Sequence, residues 1–174
     1  MIQRAQLPLQ ANIIDVGSGS SPLVDGLLDK GYQHVTVLDI ANEALTFSRQ
    51  RLGEPADQVE WLEADITSVD LPARYYDLWH DRAVFHFLKQ DDIRHAYVKI
   101  LKQSLKPGGQ VVSATFAPDG HESCSGLSVT HYSPQDLADA LGESFALLET
   151  NPEHHRTPSG NDQSFVYCRF RLNP

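Results

Sequence analysis

Cysteine is scarce: Cys124 and Cys168 are the only two in 174 residues. Two are too few to staple a fold, and they carry no metal-type spacing. A reduced, cytoplasmic setting is therefore expected. No apolar run approaches the ~20 residues that a membrane-spanning helix needs, so no membrane partner is expected. The opening stretch MIQRAQLPLQANIIDV has no sustained apolar segment after Arg4, which speaks against a secretory signal. Positive charge is also short: 14 Lys and Arg stand against 23 Asp and Glu, a net charge of -9. A general DNA or RNA partner calls for a basic face, so no nucleic acid is expected, although a small local basic patch remains compatible. Internal repeats and low-complexity tracts are missing as well.

What remains is an ordinary globular composition with 41% apolar residues. The length suggests a single domain over residues 1–174. Along it, strand and helix signals alternate. Residues 12–16 (Asn-Ile-Ile-Asp-Val) form a short apolar run that reads as a strand buried on both faces. Residues 20–30 read as a helix, with Leu23, Leu27 and Leu28 at helical spacing, Pro22 near the first turn and Gly31 at the end. Strands follow at 34–39, 59–64, 75–80 and 111–116, with a helix over 42–52 closed by Gly53. The strongest helical stripe lies over 92–105, where Ile93, Ala96, Tyr97, Ile100, Leu101 and Leu105 share a face and Asp91 or Asp92 can cap the start. Ser133 and Pro134 open a short helix to about Leu141. Two last strands, 145–150 and 164–171, are joined without a helix. Such alternation implies an α/β fold with a mostly parallel sheet and helices on both faces. The final pair predicts an antiparallel strand added at one edge.

The first strand runs into Asp15-Val16-Gly17-Ser18-Gly19-Ser20-Ser21. Glycines at a strand-to-helix turn let the backbone approach a ligand closely, and a helix N-terminus follows. A dinucleotide fingerprint needs a third glycine three residues after the second, but Pro22 stands there. That counts against a nicotinamide-dependent oxidoreductase. Asp39, followed by Ile40, ends the second strand about twenty residues on, where a carboxylate can accept both ribose hydroxyls. Asp65 ends the third strand, placed to accept an adenine amine, with Ile66 against the ring. Each carboxylate taken singly also reads as a helix cap or turn residue.

In order, the chain carries Asp15-Val16-Gly17-Ser18-Gly19, Val37-Leu38-Asp39, Ala64-Asp65-Ile66, Tyr76-Asp77-Leu78-Trp79 and Leu105-Lys106-Pro107-Gly108-Gly109. This series resembles the class I S-adenosylmethionine-dependent methyltransferases, in particular small bacterial members of unassigned substrate. The resemblance covers essentially the whole chain. It implies a Rossmann-like three-layer sandwich whose seven-stranded sheet is mostly parallel with the last strand antiparallel. It implies S-adenosyl-L-methionine as cofactor, with Asp39 on the ribose, Asp65 on the adenine, and Asp15 with the Gly17, Ser18 and Gly19 backbone on the methionine amino group. It also sets Ile40, Ile66 and His80 in the cofactor-binding group, with His80 or Asp81 near the methionine and the methyl group. Ser21 replaces the family's last loop glycine. The family's one or two helices before the first strand have no counterpart in the ten or so residues ahead of Asn12. Either they are dispensable, or the start is truncated.

For the acceptor, His80, Arg82 and His86 are the catalytic candidates, since they leave the fourth strand at the cofactor end. His86 also reads as a structural histidine under the next helix. A long polar loop over 115–127 follows the fifth strand and reads as a lid or binding loop. His121, Glu122 and Cys124 there lack a second cluster, so no metal site is expected. Arg82, His131 and the turn His154-His155-Arg156-Thr157 can form a local basic rim on an acidic protein. The rim predicts a small-molecule acceptor with a carboxylate or other anionic group. Asp81, Asp119 and Glu122 support the rival, a lysine or other cationic acceptor, as in a protein-lysine methyltransferase. A DNA-adenine methylase lacks support, because no Asn/Asp-Pro-Pro-Tyr/Phe sequence follows the fourth strand. A non-catalytic cofactor-binding protein of the same fold is the remaining alternative. Oligomeric state is not legible.

Overall fold

A computed structural model describes residues 1–124, 126–156 and 162–174. Strands β1 (Asn12–Val16), β2 (His34–Asp39), β3 (Val59–Glu63), β4 (Tyr76–Arg82) and β5 (Leu105–Phe116) alternate with helices α1 (Leu23–Asp29), α2 (Asn42–Leu52) and α3 (Asp91–Ser104). Helix α4 (Pro134–Leu141) and strands β6 (Phe145–Arg156) and β7 (Asp162–Leu172) complete the chain. The seven strands form one sheet in the order β3-β2-β1-β4-β5-β7-β6. β7 pairs antiparallel with both β5 and β6, and the other pairings are parallel.

Burial on both faces explains the unbroken apolar runs. Adjacent residues on one strand point to opposite sides. Ile13 packs with Val24 and Leu27 of α1 and Leu45 of α2. Its neighbour Ile14 belongs to the cluster on the other face, with Tyr97 and Leu101 of α3 and Leu137 of α4. Leu78 and Trp79 divide in the same way. The result is the three-layer α/β sandwich expected from the sequence. Among the described residues no helix is long and apolar enough to cross a membrane.

Several boundaries differ from the sequence expectation. Helix α1 starts at Leu23 rather than at residue 20, with Pro22 at its cap position. Helix α3 is capped by neither Asp91 nor Asp92: Gln90 holds the cap position, and both acids lie in the first turn, where they favour the helix dipole. The start of α3 is tied down instead by Arg94, which donates to the carbonyls of Leu88 (2.9 Å) and Lys89 (2.6 Å). Ser133 does cap α4, in a capping box with Asp136. The antiparallel strand is not at an edge. β7 lies between β5 and β6, and β6 is the edge. The last two strands are also longer than expected, so His154 and Arg156 belong to β6 rather than to a turn.

Candidate active site

The glycine loop leaves β1 at the carboxyl end of the sheet. Gly17 and Gly19 have φ of 64° and 55°, a left-handed backbone that side chains other than glycine resist. Gly17 is required a second time: a Cβ there would lie 2.0 Å from Val84 Cγ2. The Gly17 amide donates to the Leu38 carbonyl (2.7 Å). Asp39 is buried and braces the loop through one oxygen, accepting from the Gly19 amide at 2.8 Å. Its other oxygen accepts from the Ala41 amide at 2.9 Å. Arg51 reaches across from α2 to the carbonyls of Ser20 and Ser21, both at 2.8 Å.

Beside this loop lies a cleft of about 530 Å³, lined by Gly17, Asp39, Ile40, Asp65, Ile66 and Val84 among others. Ile40 is 70% exposed whereas Ile66 is 6% exposed. An apolar side chain standing free at a cleft suits the face of a flat ring. Asp65 is exposed, and one of its oxygens accepts from the Thr67 amide and hydroxyl (2.8 and 2.7 Å). Its second oxygen has no partner among the described residues. Ser18 is buried in the loop between the two glycines.

β4 runs through to Arg82, two residues past the sequence expectation, and its alternation sorts the candidates. His80 and Arg82 point to the α1 side, where they line a second pocket of about 550 Å³ with Leu23, Leu27, Tyr32 and Tyr167. Asp81 points the other way and is fully buried. It accepts from Tyr97 Oη at 2.7 Å and from the amides of Val84 and Phe85 at 3.0 and 3.2 Å. Trp79 Nε1 donates to the same tyrosine oxygen at 2.9 Å. Burial pushes the Asp81 carboxyl up to about 6, against the opposing pull of these hydrogen bonds. Asp81 is therefore a core hydrogen-bonding residue that lines neither pocket, unlike the exposed carboxylate that the cationic-acceptor reading needs.

Asp15 and His80 sit directly opposite each other on the neighbouring strands β1 and β4. Their side chains share a face, and His80 Nδ1 lies 2.7 Å from Asp15 Oδ1. Both residues are buried. Asp15 Oδ2 is buried with no partner among the described residues. Arg82, Ala114 and Tyr167 follow one row across β4, β5 and β7. The small Ala114 lets the arginine reach over, and its Nε donates to Tyr167 Oη at 2.8 Å. The guanidinium also lies 4.5 Å from the centre of the Phe165 ring. Its terminal nitrogens have no hydrogen-bond partner among the described residues.

His86 is not brought to this site. It is fully buried against Phe87 and Phe116, and its Nδ1 accepts from the Phe116 amide at 3.3 Å. Burial, with His131 and Arg82 adding to it, pushes its imidazole down to about 4. It is the structural histidine of the two readings. Of the described residues of the basic rim, Arg82 lines the second pocket. His131 lies 2.9 Å from the His121 carbonyl, and His154 lies 3.3 Å from the Ser164 hydroxyl. Thr157, the His155 side chain and Ser125 of the long loop lie outside the described residues. The rest of that loop includes a small hairpin, Ser123–Cys124 with Leu127–Ser128. Leu127 is 62% exposed and lines the cleft beside the glycine loop. Among the described residues no three His, Cys, Asp or Glu side chains are grouped as metal ligands.

Sequence reasoning missed Tyr167 and Phe165, the two residues that hold Arg82. Their alternate spacing on one strand was the available signal, but the neighbouring strand was unknown. It also missed Val84, whose packing is legible only once Gly17 and the end of β4 are adjacent.

A sheet of this order, with a glycine loop after β1 and carboxylates after β2 and β3, defines an α/β domain of the nucleoside-cofactor-binding kind. More specifically, the chain belongs to the S-adenosylmethionine-dependent methyltransferases. A family model described as "Methyltransferase domain" matches residues 13–109. A curated methyltransferase of Claviceps purpurea is 33% identical over 102 residues, covering 59% of this chain and 30% of that protein. The eEF1A lysine and N-terminal methyltransferase of Mus musculus is 22% identical over 175 residues, covering 93% of this chain and 24% of that protein. The chain thus spans under a third of the length of these curated relatives. A solved S-adenosylmethionine-dependent methyltransferase of Methanosarcina mazei superposes with a TM-score of 0.81 at 17% identity, over 99% of this chain and 97% of that one.

Proposed function

We propose that this chain, as one domain over residues 1–174, transfers the methyl group of S-adenosyl-L-methionine to a small-molecule acceptor bearing an anionic group. One observation carries the reading. His80 and Arg82 line one pocket, while the next residues, Ala83 and Val84, line the other. The end of β4 is thus a wall common to both cavities, and methyl transfer needs two reactants held in line.

The residues fit the cofactor. The unpartnered Asp15 Oδ2 is a ready acceptor for an ammonium group beside the Gly17, Ser18 and Gly19 backbone. Asp39 keeps lone pairs for ribose hydroxyls beyond its two amide bonds. The free oxygen of Asp65 suits an adenine amine, with Ile40 and Ile66 flanking the ring. The sulfonium supplies a methyl group that is already activated, so the chain's work is to position the acceptor and, where needed, take its proton. In the second pocket, Arg82 is held by Tyr167 and Phe165 and offers its two terminal nitrogens as a fork for a carboxylate. A cavity of about 550 Å³ is of a size that takes a small molecule.

A lysine acceptor is favoured by the similarity to the mouse protein. Against it, the pocket presents the fixed cation of Arg82, and Asp81 is sealed in the core. Calorimetry with S-adenosylhomocysteine, then radiolabelled methyl transfer to a panel of aromatic carboxylates and lysine peptides, tests the reading. Transfer to carboxylates that is lost in Arg82→Ala is expected. Transfer to lysine peptides alone, or acceptor affinity unchanged in Arg82→Ala, would refute it.

A further inference from the structure

We propose that His80, oriented by Asp15, is the general base that takes a proton from the acceptor. The acceptor's reactive atom is then a hydroxyl, a thiol or a ring N–H. The inference rests on the pocket beside His80 being the acceptor site.

The register of the sheet makes the pair. Asp15 and His80 are directly opposed on β1 and β4, so their separation is fixed by backbone hydrogen bonding rather than by loops. A carboxylate only accepts, so at 2.7 Å it is His80 Nδ1 that carries the hydrogen. In the neutral ring, Nε2 is then left with the lone pair. Among the described residues Nε2 has no hydrogen-bond partner, and His80 lines the pocket. His86 also has an unpartnered Nε2, but that atom is sealed in the core and lines neither of the two pockets. His80 has its spare nitrogen at a cavity large enough for a substrate.

Charges of both signs surround the imidazole. Asp15 faces it from β1, Arg82 from its own strand and Tyr167 from β7. Lys30 and Tyr32, after α1, and Met1 line the same pocket. Asp81 lies behind, on the other face of β4. Arg82 is set to hold an anionic part of the acceptor two residues along the strand from His80. That spacing leaves the acceptor's reactive end beside Nε2.

The step balances without any further reagent. The acceptor's X–H bond breaks and the proton goes to Nε2. The electron pair on X forms the new bond to the methyl carbon. The pair of the broken carbon–sulfur bond stays on sulfur. Asp15 then faces an imidazolium rather than a neutral ring, and stabilises it. Positioned proton transfer of this kind contributes typically ~10²–10⁴-fold.

The test has two arms. Nitrogen-15 NMR of labelled protein, with S-adenosylhomocysteine bound, reads which ring nitrogen of neutral His80 carries the hydrogen. The Nδ1–H tautomer is expected, with its loss in Asp15→Asn. An Nε2–H ring in the wild type overturns the dyad while cofactor binding, read by calorimetry, leaves the methyltransferase reading standing. No binding of S-adenosylhomocysteine overturns both. In the second arm, labelled methyl transfer is measured to 4-hydroxybenzoate, whose phenolic proton is held well above neutral pH, and to 4-hydroxy-3-nitrobenzoate, whose phenol is largely ionised at mildly alkaline pH; both carry the carboxylate that Arg82 is set to hold. His80→Gln is expected to cut transfer to 4-hydroxybenzoate by ~10²–10⁴-fold, and transfer to 4-hydroxy-3-nitrobenzoate by at least about tenfold less than that. Equal losses on the two probes, or no transfer to either by the wild type, overturn the assignment.

Discussion

His86 makes the protein acid-labile by a calculable amount. Its imidazole falls from the usual 6.5 to about 4 in the folded chain, because a charge there would be buried against Phe87 and Phe116. Each unit is worth about 1.4 kcal/mol, so the neutral ring contributes ~3 kcal/mol. The sign follows from a lowered folded value. The contribution is fully present above the unfolded value of 6.5, and is lost as pH falls through the window down to about 4. Asp81 moves the opposite way. Its raised carboxyl favours the folded state at low pH, and that contribution is lost as pH rises from 3.8 to about 6. Total stability therefore mixes the two, but a comparison separates them. Urea unfolding of wild type and His86→Gln at steps from about pH 7 to about pH 4 retains Asp81 in both proteins, so its effect cancels in the difference. Glutamine has no proton to gain. Its variant starts less stable by a constant offset, and the gap to wild type is expected to close by ~3 kcal/mol as the pH falls. Two parallel curves would refute the buried, neutral histidine and restore His86 as a candidate proton carrier.

Other substitutions test the surrounding scaffold. Tyr97→Phe leaves Trp79 Nε1 without its partner and removes one of the two donors to Asp81 Oδ2, and is expected to cost about 2–4 kcal/mol by chemical denaturation. Gly17→Ala meets both the left-handed backbone and the Val84 side chain. It is expected to lower stability by about 2–4 kcal/mol and to abolish S-adenosylhomocysteine binding by calorimetry. Asp39→Asn turns a donor toward one of the two amides that Asp39 now accepts from. S-adenosylhomocysteine affinity is expected to fall by ~10–100-fold with the fold retained by circular dichroism.

The parts of this architecture that are legible in the sequence are those written in local pattern. Ile13 and Ile14 announce a two-sided strand, and the stripe through Tyr97 and Leu101 announces α3, because both signals lie within one element. The glycine loop and the carboxylates at 39 and 65 are legible for the same reason. What escapes is set between elements. Whether His80 or Asp81 faces the pocket beside α1 depends on where β4 ends and on which layer covers each face. The companion residues of Arg82 come from β7, some eighty-five positions away in sequence. The capping of α3 was misread because Asp91 and Asp92 carry a favourable charge for that end, while Arg94 does the tethering through backbone carbonyls. The place of the antiparallel strand was misread because composition alone does not distinguish an inner strand from an outer one.

That inner position of β7 has a consequence for how the chain reaches its native state. β6 is made on the ribosome before the strand that links it to the sheet exists. Until residues 162–172 emerge, β5 keeps a bare edge and β6 has nowhere to dock. Exposed edges of this kind recruit strands from other chains. The nascent chain is therefore most exposed to aggregation while five strands are in place and the one that closes the gap is still in the exit tunnel.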